Sequence, residues 1–210
     1  MRISAMLGAL LAAALPLFGG TENFDAAKVG SLPQGWIAGV TGEGKADWKI
    51  TVDTNAPSGS NVLKQSGTAK FCWGVNTNLS IKNGRLEVRI KPMHGLEDQA
   101  GGLIWRFQDA GNYYVARANA MEDNITIYKT VNGVRKEYGR TRMLVAPNQW
   151  HTLRVDFKGP HFTVAYDNEF ALAWDDDTFT NAGPVGVWTK ADSVTEFDDF
   201  QWQDLGDGAQ

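Results

Sequence analysis

The chain is short of the residues that build covalent and metal frameworks. It has one cysteine, Cys72, and three histidines among 210 residues. A lone cysteine cannot close an intramolecular disulfide, and a structural zinc site in its usual cysteine-rich form is excluded as well. Cys72 is therefore expected to be a small buried apolar residue. Positive charge is not in excess: the formal net charge is −4. Such a balance is a poor match to a phosphate backbone, so no nucleic-acid partner is expected. Long apolar runs are also scarce. The longest, from Ala5 to Phe18, is too short to span a bilayer comfortably, and no membrane span is expected. No long helical period occurs anywhere along the chain.

That apolar run follows Arg2 and is followed by small residues, the composition of a secretory signal peptide. Residues 1–20 are expected to be the leader, cleaved near Gly20, and residues 21–210 a single domain. The mature chain would be secreted or periplasmic. No cysteine follows the run, so a lipid anchor is not expected.

What the sequence has in abundance is turn-forming and aromatic residues: 23 Gly and eight Trp. Strand-like runs recur between turn residues, at residues 48–53, 62–66, 75–81, 85–91, 125–131, 152–157, 162–167, 170–174, 185–189 and 196–202. In "RLEVRIK", Leu86, Val88 and Ile90 alternate with Arg85, Glu87, Arg89 and Lys91. Asn132-Gly133 is a strong signal for a tight hairpin turn, and Lys158-Gly159-Pro160 marks another. About a dozen such strands with short connections predict an all-β jelly-roll sandwich of two curved antiparallel sheets. The longest loop is expected over residues 92–101.

The stretch "GGLIWRFQDAGNYYVARANAMEDN", residues 101–124, reads as a hairpin. Alternation places Trp105, Phe107, Tyr114, Ala116 and Ala118 toward the core. It places Arg106, Gln108, Tyr113, Arg117 and Asn119 outward. An outward face of planar donors, amides and an aromatic ring suits a sugar: rings stack on its C–H surface, and Arg, Asn and Gln bond its hydroxyls. The same residues would equally serve as a solvated sheet face, or pair with Glu122 and Asp123.

Three segments carry a family likeness. "GLIWRFQDAGNYYVARANAMEDNITIYKTVNGVRKE", "NQWHTLRVDFKGPHFTVAYDNE" and "DDDTFTNAGPVGVWTKADSVTEFDDF" resemble the concanavalin A-like lectin/glucanase superfamily. The likeness is greatest to its bacterial laminin-G-like and 3-keto-disaccharide hydrolase-like (DUF1080) groups. It implies a jelly roll whose ligands sit on the concave face or its rim, with Arg106, Tyr113, Arg117, Asn119 and Trp188 as ligand-binding residues. In "VGVWT" the alternation leaves open whether Trp188 belongs to that concavity or to the core.

A retaining glycosidase needs two carboxyl groups about 5 Å apart, which glucanases of this superfamily present as Glu-x-Asp-x-Glu. That string is absent. Glu122, beside Arg117, and His94, in the long loop, are the candidate catalytic residues, as a base or an acid/base group. The resemblance extends to cleavage of oxidised glycosides by elimination. His151 and His161 are expected to be structural. The acidic residues Asp175, Asp176 and Asp177, with Asp198 and Asp199, are candidates for a structural calcium or for solvated turns. The leading expectation is an exported carbohydrate-binding or carbohydrate-processing protein. The alternatives are a hydrolase or lyase of unusual glycosides and a protein-binding adhesion module.

Overall fold

The computed structural model describes residues 18–206, and the expected leader lies almost entirely outside them. In chain order the strands are β1 (Gly20–Glu22), β2 (Trp36–Lys45), β3 (Trp48–Val52), β4 (Asn61–Gln65), β5 (Thr68–Ile81), β6 (Gly84–His94), β7 (Ala100–Asp109), β8 (Asn112–Asn119), β9 (Asn124–Val131), β10 (Val134–Arg142), β11 (His151–Lys158), β12 (His161–Tyr166), β13 (Glu169–Asp175), β14 (Gly183–Ala191) and β15 (Val194–Asp204). They form two antiparallel sheets. One has the order β13-β12-β11-β6-β15-β4-β3, with β1 added on β15. The other has the order β10-β9-β8-β7-β14-β5-β2. This is the expected jelly-roll sandwich. Among the described residues no helix is long and apolar enough to cross a membrane.

The alternation read from the sequence sets the inner layer. Leu86, Val88 and Ile90 of β6 meet Leu103, Trp105, Tyr114, Ala116 and Ala118 of the other sheet in one buried cluster. Burying each of the Leu, Val and Ile side chains is worth roughly 1.5–3 kcal/mol. A one-residue slip would expose the whole set, so the register is firmly specified. Cys72 lies in this cluster, and burial pushes its thiol up to about 11. Asn132 and Gly133 both take positive φ, as the tight β9–β10 turn requires.

Three strands escape the sequence pattern. β2, "WIAGVTGEGK", is interrupted by glycines and polar residues. β10, "VRKEYGRTR", is an edge strand with no apolar face. β1 is three residues long. The 92–101 loop is also shorter than expected, because β6 runs to His94 and β7 starts at Ala100.

The seven-stranded sheet carries a second apolar cluster on the face away from its partner. Its members are Phe71, Trp73, Val75, Ile104, Phe107, Tyr113, Val115 and Trp188. Contacts across this face show that it is deeply concave. β8 and β2 are four strand steps apart, about 19 Å in a flat sheet. Yet the Tyr113 and Thr41 hydroxyls are 2.7 Å apart. Thr41 also donates to the Ala110 carbonyl in the β7–β8 turn. The edge strand β2 thus curls over onto the opposite half of its own sheet. Gly39 permits this closeness, since a Cβ there would lie 2.4 Å from the Trp73 ring.

Candidate functional site

The concave face is filled at its centre and open toward one end. Filling comes from packed rings: Phe71 stacks on Trp188 at 5.5 Å, Phe107 stacks on Tyr113 at 5.7 Å, and Trp73 meets Phe107 at a tilt at 4.8 Å. Trp188 is completely buried, with Val185 and Val187 on the opposite, inter-sheet side. Gly102, paired opposite Trp188, leaves room for the indole, whose ring would lie 3.5 Å from a Cβ there.

At the open end is a cleft of about 910 Å³. Gly42, Glu43 and Gly44 of β2 form one wall, with residues 68–71 of β5 beside them. Lys190 and Ala191 of β14, Glu97 of the β6–β7 loop and Arg135 of β10 complete it. The loop bearing Glu97 is held by Asp192, whose carboxylate accepts the backbone N–H groups of Leu96, Glu97 and Asp98 at 2.6, 3.0 and 3.1 Å. Burial opposes the Asp192 charge, but these donors outweigh it and hold the carboxyl below its ordinary range.

Asp98 links this wall to the hairpin read from the sequence. It is 1% exposed and accepts Asn119 Nδ2 at 2.6 Å and Lys190 Nζ at 2.5 Å, with Arg117 Nη1 at 3.9 Å. Arg117 lies over the Tyr128 ring and donates from Nη2 to Glu122 at 2.7 Å and Asn124 at 2.8 Å. The Asn119 side-chain oxygen accepts the Met121 and Glu122 N–H groups, closing the β8–β9 turn. Glu122 is partly buried, which alone would raise its pKa. Hydrogen bonds from Asn124 and Arg117 prevail and lower it. It is therefore held as a carboxylate, a state suited to accepting hydrogen bonds rather than donating a proton.

Tyr113, Arg117, Asn119 and Trp188 thus share the concave side, with Glu122 attached through Arg117. All four are buried. They support the cleft from behind, and its lining comes from other residues.

Arg106 does not face outward as alternation suggested. A β-bulge between Trp105 and Asp109, with Arg106 at φ 48°, reverses the alternation. Phe107 consequently joins the concave cluster, not the inter-sheet core. Arg106 is 1% exposed. It donates to the carbonyls of Lys82, Phe179 and Gly159 at 2.9, 2.8 and 2.7 Å and lies over Phe157 and Phe162. His94 is exposed at the end of β6, in the other sheet, and does not line the cleft.

The acidic runs do not gather around one point. Asp175 meets His161, whereas Asp176 accepts Lys129, the Tyr114 hydroxyl and the Thr178 N–H. Asp198 and Asp199 are bound by Ser58. Among the described residues no three His, Cys, Asp or Glu side chains are placed to hold a metal ion.

Sequence reasoning missed Phe71, Asp98, Arg135 and Lys190. Phe71 and Trp73 alternate with Cys72, but both faces of that strand are apolar, so its alternation has no contrast. Arg135 lies on a polar edge strand and reaches the cleft only through the curl of the sheet.

No family model matches the sequence, and neither does any curated protein. Solved structures do resemble the fold. A carbohydrate-binding module, CBM66 from Bacillus subtilis, matches with TM-score 0.66 and 19% identity over 80% of this chain and 95% of that one. The cellulose-induced protein Cip1 matches with TM-score 0.61 and 11% identity over 90% and 99%. The β-glucanase of Bacillus licheniformis matches with TM-score 0.54 and 12% identity over 88% and 98%. At these identities the likeness is one of architecture, and the chain has the two-sheet jelly-roll fold that these structures share.

Proposed function

We propose that this protein is an exported carbohydrate-binding protein and that its site is the open end of the concave face. The observation that carries the reading is the cleft of about 910 Å³ between β2, β5, β14 and β10. Its size suits a small oligosaccharide. Its wall combines Phe71 with the charged heads of Lys70, Lys190, Arg135, Glu43 and Glu97, groups that bond hydroxyls in several directions. Asp98 and Asp192 fix two of its walls, so the surface is preformed and loses little entropy on binding. Carbohydrate-binding and glucanase structures of the same fold agree with this reading.

Hydrolysis or elimination by Glu122 and His94 draws less support. Neither Glu122 nor His94 lines the cleft, and the Glu122 carboxylate is already engaged by Arg117 and Asn124.

The test is affinity measurement against a glycan panel with the mature protein. Glu97→Ala and Lys70→Ala are expected to weaken binding several-fold, while Arg85→Ala, on the other sheet, leaves it unchanged. Equal loss from Arg85→Ala, or capture of a protein partner with no glycan retained, would move the site or the function elsewhere.

A further inference from the structure

The cations around the concave face are unequally matched. Arg117 has Glu122, Asn124 and a more distant Asp98, and Lys190 has Asp98. Arg135 has no such close partner, and Asp98 acts on it only at a distance. Its Nη1 is buried without a hydrogen-bond partner, and no carboxylate among the described residues pairs with its guanidinium. Instead it lies over three rings: Tyr128 at 4.1 Å, Phe71 at 4.6 Å and Trp188 at 5.5 Å.

Ring faces attract a cation, but they leave its N–H donors unbonded. A half-buried guanidinium with no carboxylate in contact is a fork suited to a planar two-oxygen acceptor. The rings hold that fork flat, so little side-chain entropy is lost when it is used. Glu43 and Glu97 line the same cleft and are exposed. Carboxylates there suit hydroxyl donors and would repel a second acid group. The cleft thus offers one place for an anion and hydroxyl acceptors around it.

We propose that the ligand of the cleft is an acidic saccharide whose carboxylate is received by the Arg135 guanidinium. This rests on the carbohydrate reading of the same site and adds the class of sugar. Lys70, above the Phe71 ring at 5.7 Å, supplies further positive potential.

The test compares oligosaccharides that carry a single galacturonic, glucuronic, mannuronic or guluronic acid residue with their carboxyl-reduced, neutral counterparts. Calorimetry would use wild type, Arg135→Gln and Arg135→Lys, with thermal melts as a folding check. At least one acidic oligosaccharide is expected to bind roughly tenfold or more tighter than its reduced form. Arg135→Gln is expected to remove that preference, and Arg135→Lys to restore only part of it, since an ammonium cannot make the two-point contact. The acidic affinity should also fall as salt is raised. If neutral sugars bind as well as acidic ones and Arg135→Gln changes nothing, the acidic class is refuted while the carbohydrate reading stands. If folded wild type binds no sugar of either kind, both fail. The comparison between acidic and reduced ligands on the wild type does not depend on either variant folding.

Discussion

Replacing Arg106 with Met should damage the fold and spare the cleft. The guanidinium serves three backbone carbonyls, at 2.7 to 2.9 Å, from three separate segments: Lys82, Gly159 and Phe179. Met retains much of the stem volume against Phe157 and Phe162 but supplies no donor. A hydrogen bond to a charged group is worth roughly 1.5–3 kcal/mol, and each buried carbonyl left bare costs about 1–3 kcal/mol. These terms overlap, and removing the charge recovers part of its desolvation penalty. A net loss of about 3–5 kcal/mol follows. At roughly 2–4 °C per kcal/mol for a domain of this size, the melting temperature should fall on the order of 10 °C. Urea unfolding and calorimetry would measure it. Glycan affinity, taken well below the melting point, should match wild type. A loss under about 1 kcal/mol, or a stable variant that no longer binds glycan, would refute the reasoning.

Other expectations follow from the same structure. Asp198 is fully buried, and desolvation pushes its pKa up to about 6 from 3.8. A raised carboxyl favours folding below the unfolded value and loses that contribution as pH rises through about 6. Wild-type stability should therefore fall between pH 4 and 7 by up to ~3 kcal/mol from this group. Asp198→Asn should flatten the slope, whatever its absolute stability, and an unchanged slope in urea titrations would contradict the assignment. Thr41→Val strands the Ala110 carbonyl and removes one partner of the Tyr113 hydroxyl, and should cost about 1–3 kcal/mol in chemical denaturation. Asp98→Ala leaves Lys190, Asn119 and Arg117 without their common acceptor. It should destabilise by roughly 3–5 kcal/mol and weaken glycan binding at temperatures where the variant remains folded. Gly39→Ala drives a methyl into the Trp73 ring and should cost about 1–3 kcal/mol by thermal melt.

Much of the sandwich was legible because one face of each inner strand has contrast. Leu86, Val88 and Ile90 stand out against charged neighbours, and Asn132-Gly133 announces its turn. Legibility ended where the sheet bends. Arg106 inverts its facing at a bulge made without glycine, which no alternation reveals. Trp188 was undecidable because curling buries both sides of β14. Tyr113, Arg117 and Asn119 were placed on the correct face, but as an open polar surface. The curl turns them into a buried foundation. Arg135 was invisible for the same reason: on a flat sheet it would stand about 24 Å from Phe71, at five strand steps, and here it lies at 4.6 Å.

The most direct test of the central claim is a residue-resolved titration of the isotope-labelled protein with glycans, read by amide chemical shifts. The account predicts saturable shifts at Gly42, Gly44, Phe71, Glu97, Arg135 and Lys190, and none on the exposed face of β13 and β12. Shifts confined to the eight-stranded sheet, or no shifts with any glycan, would contradict it.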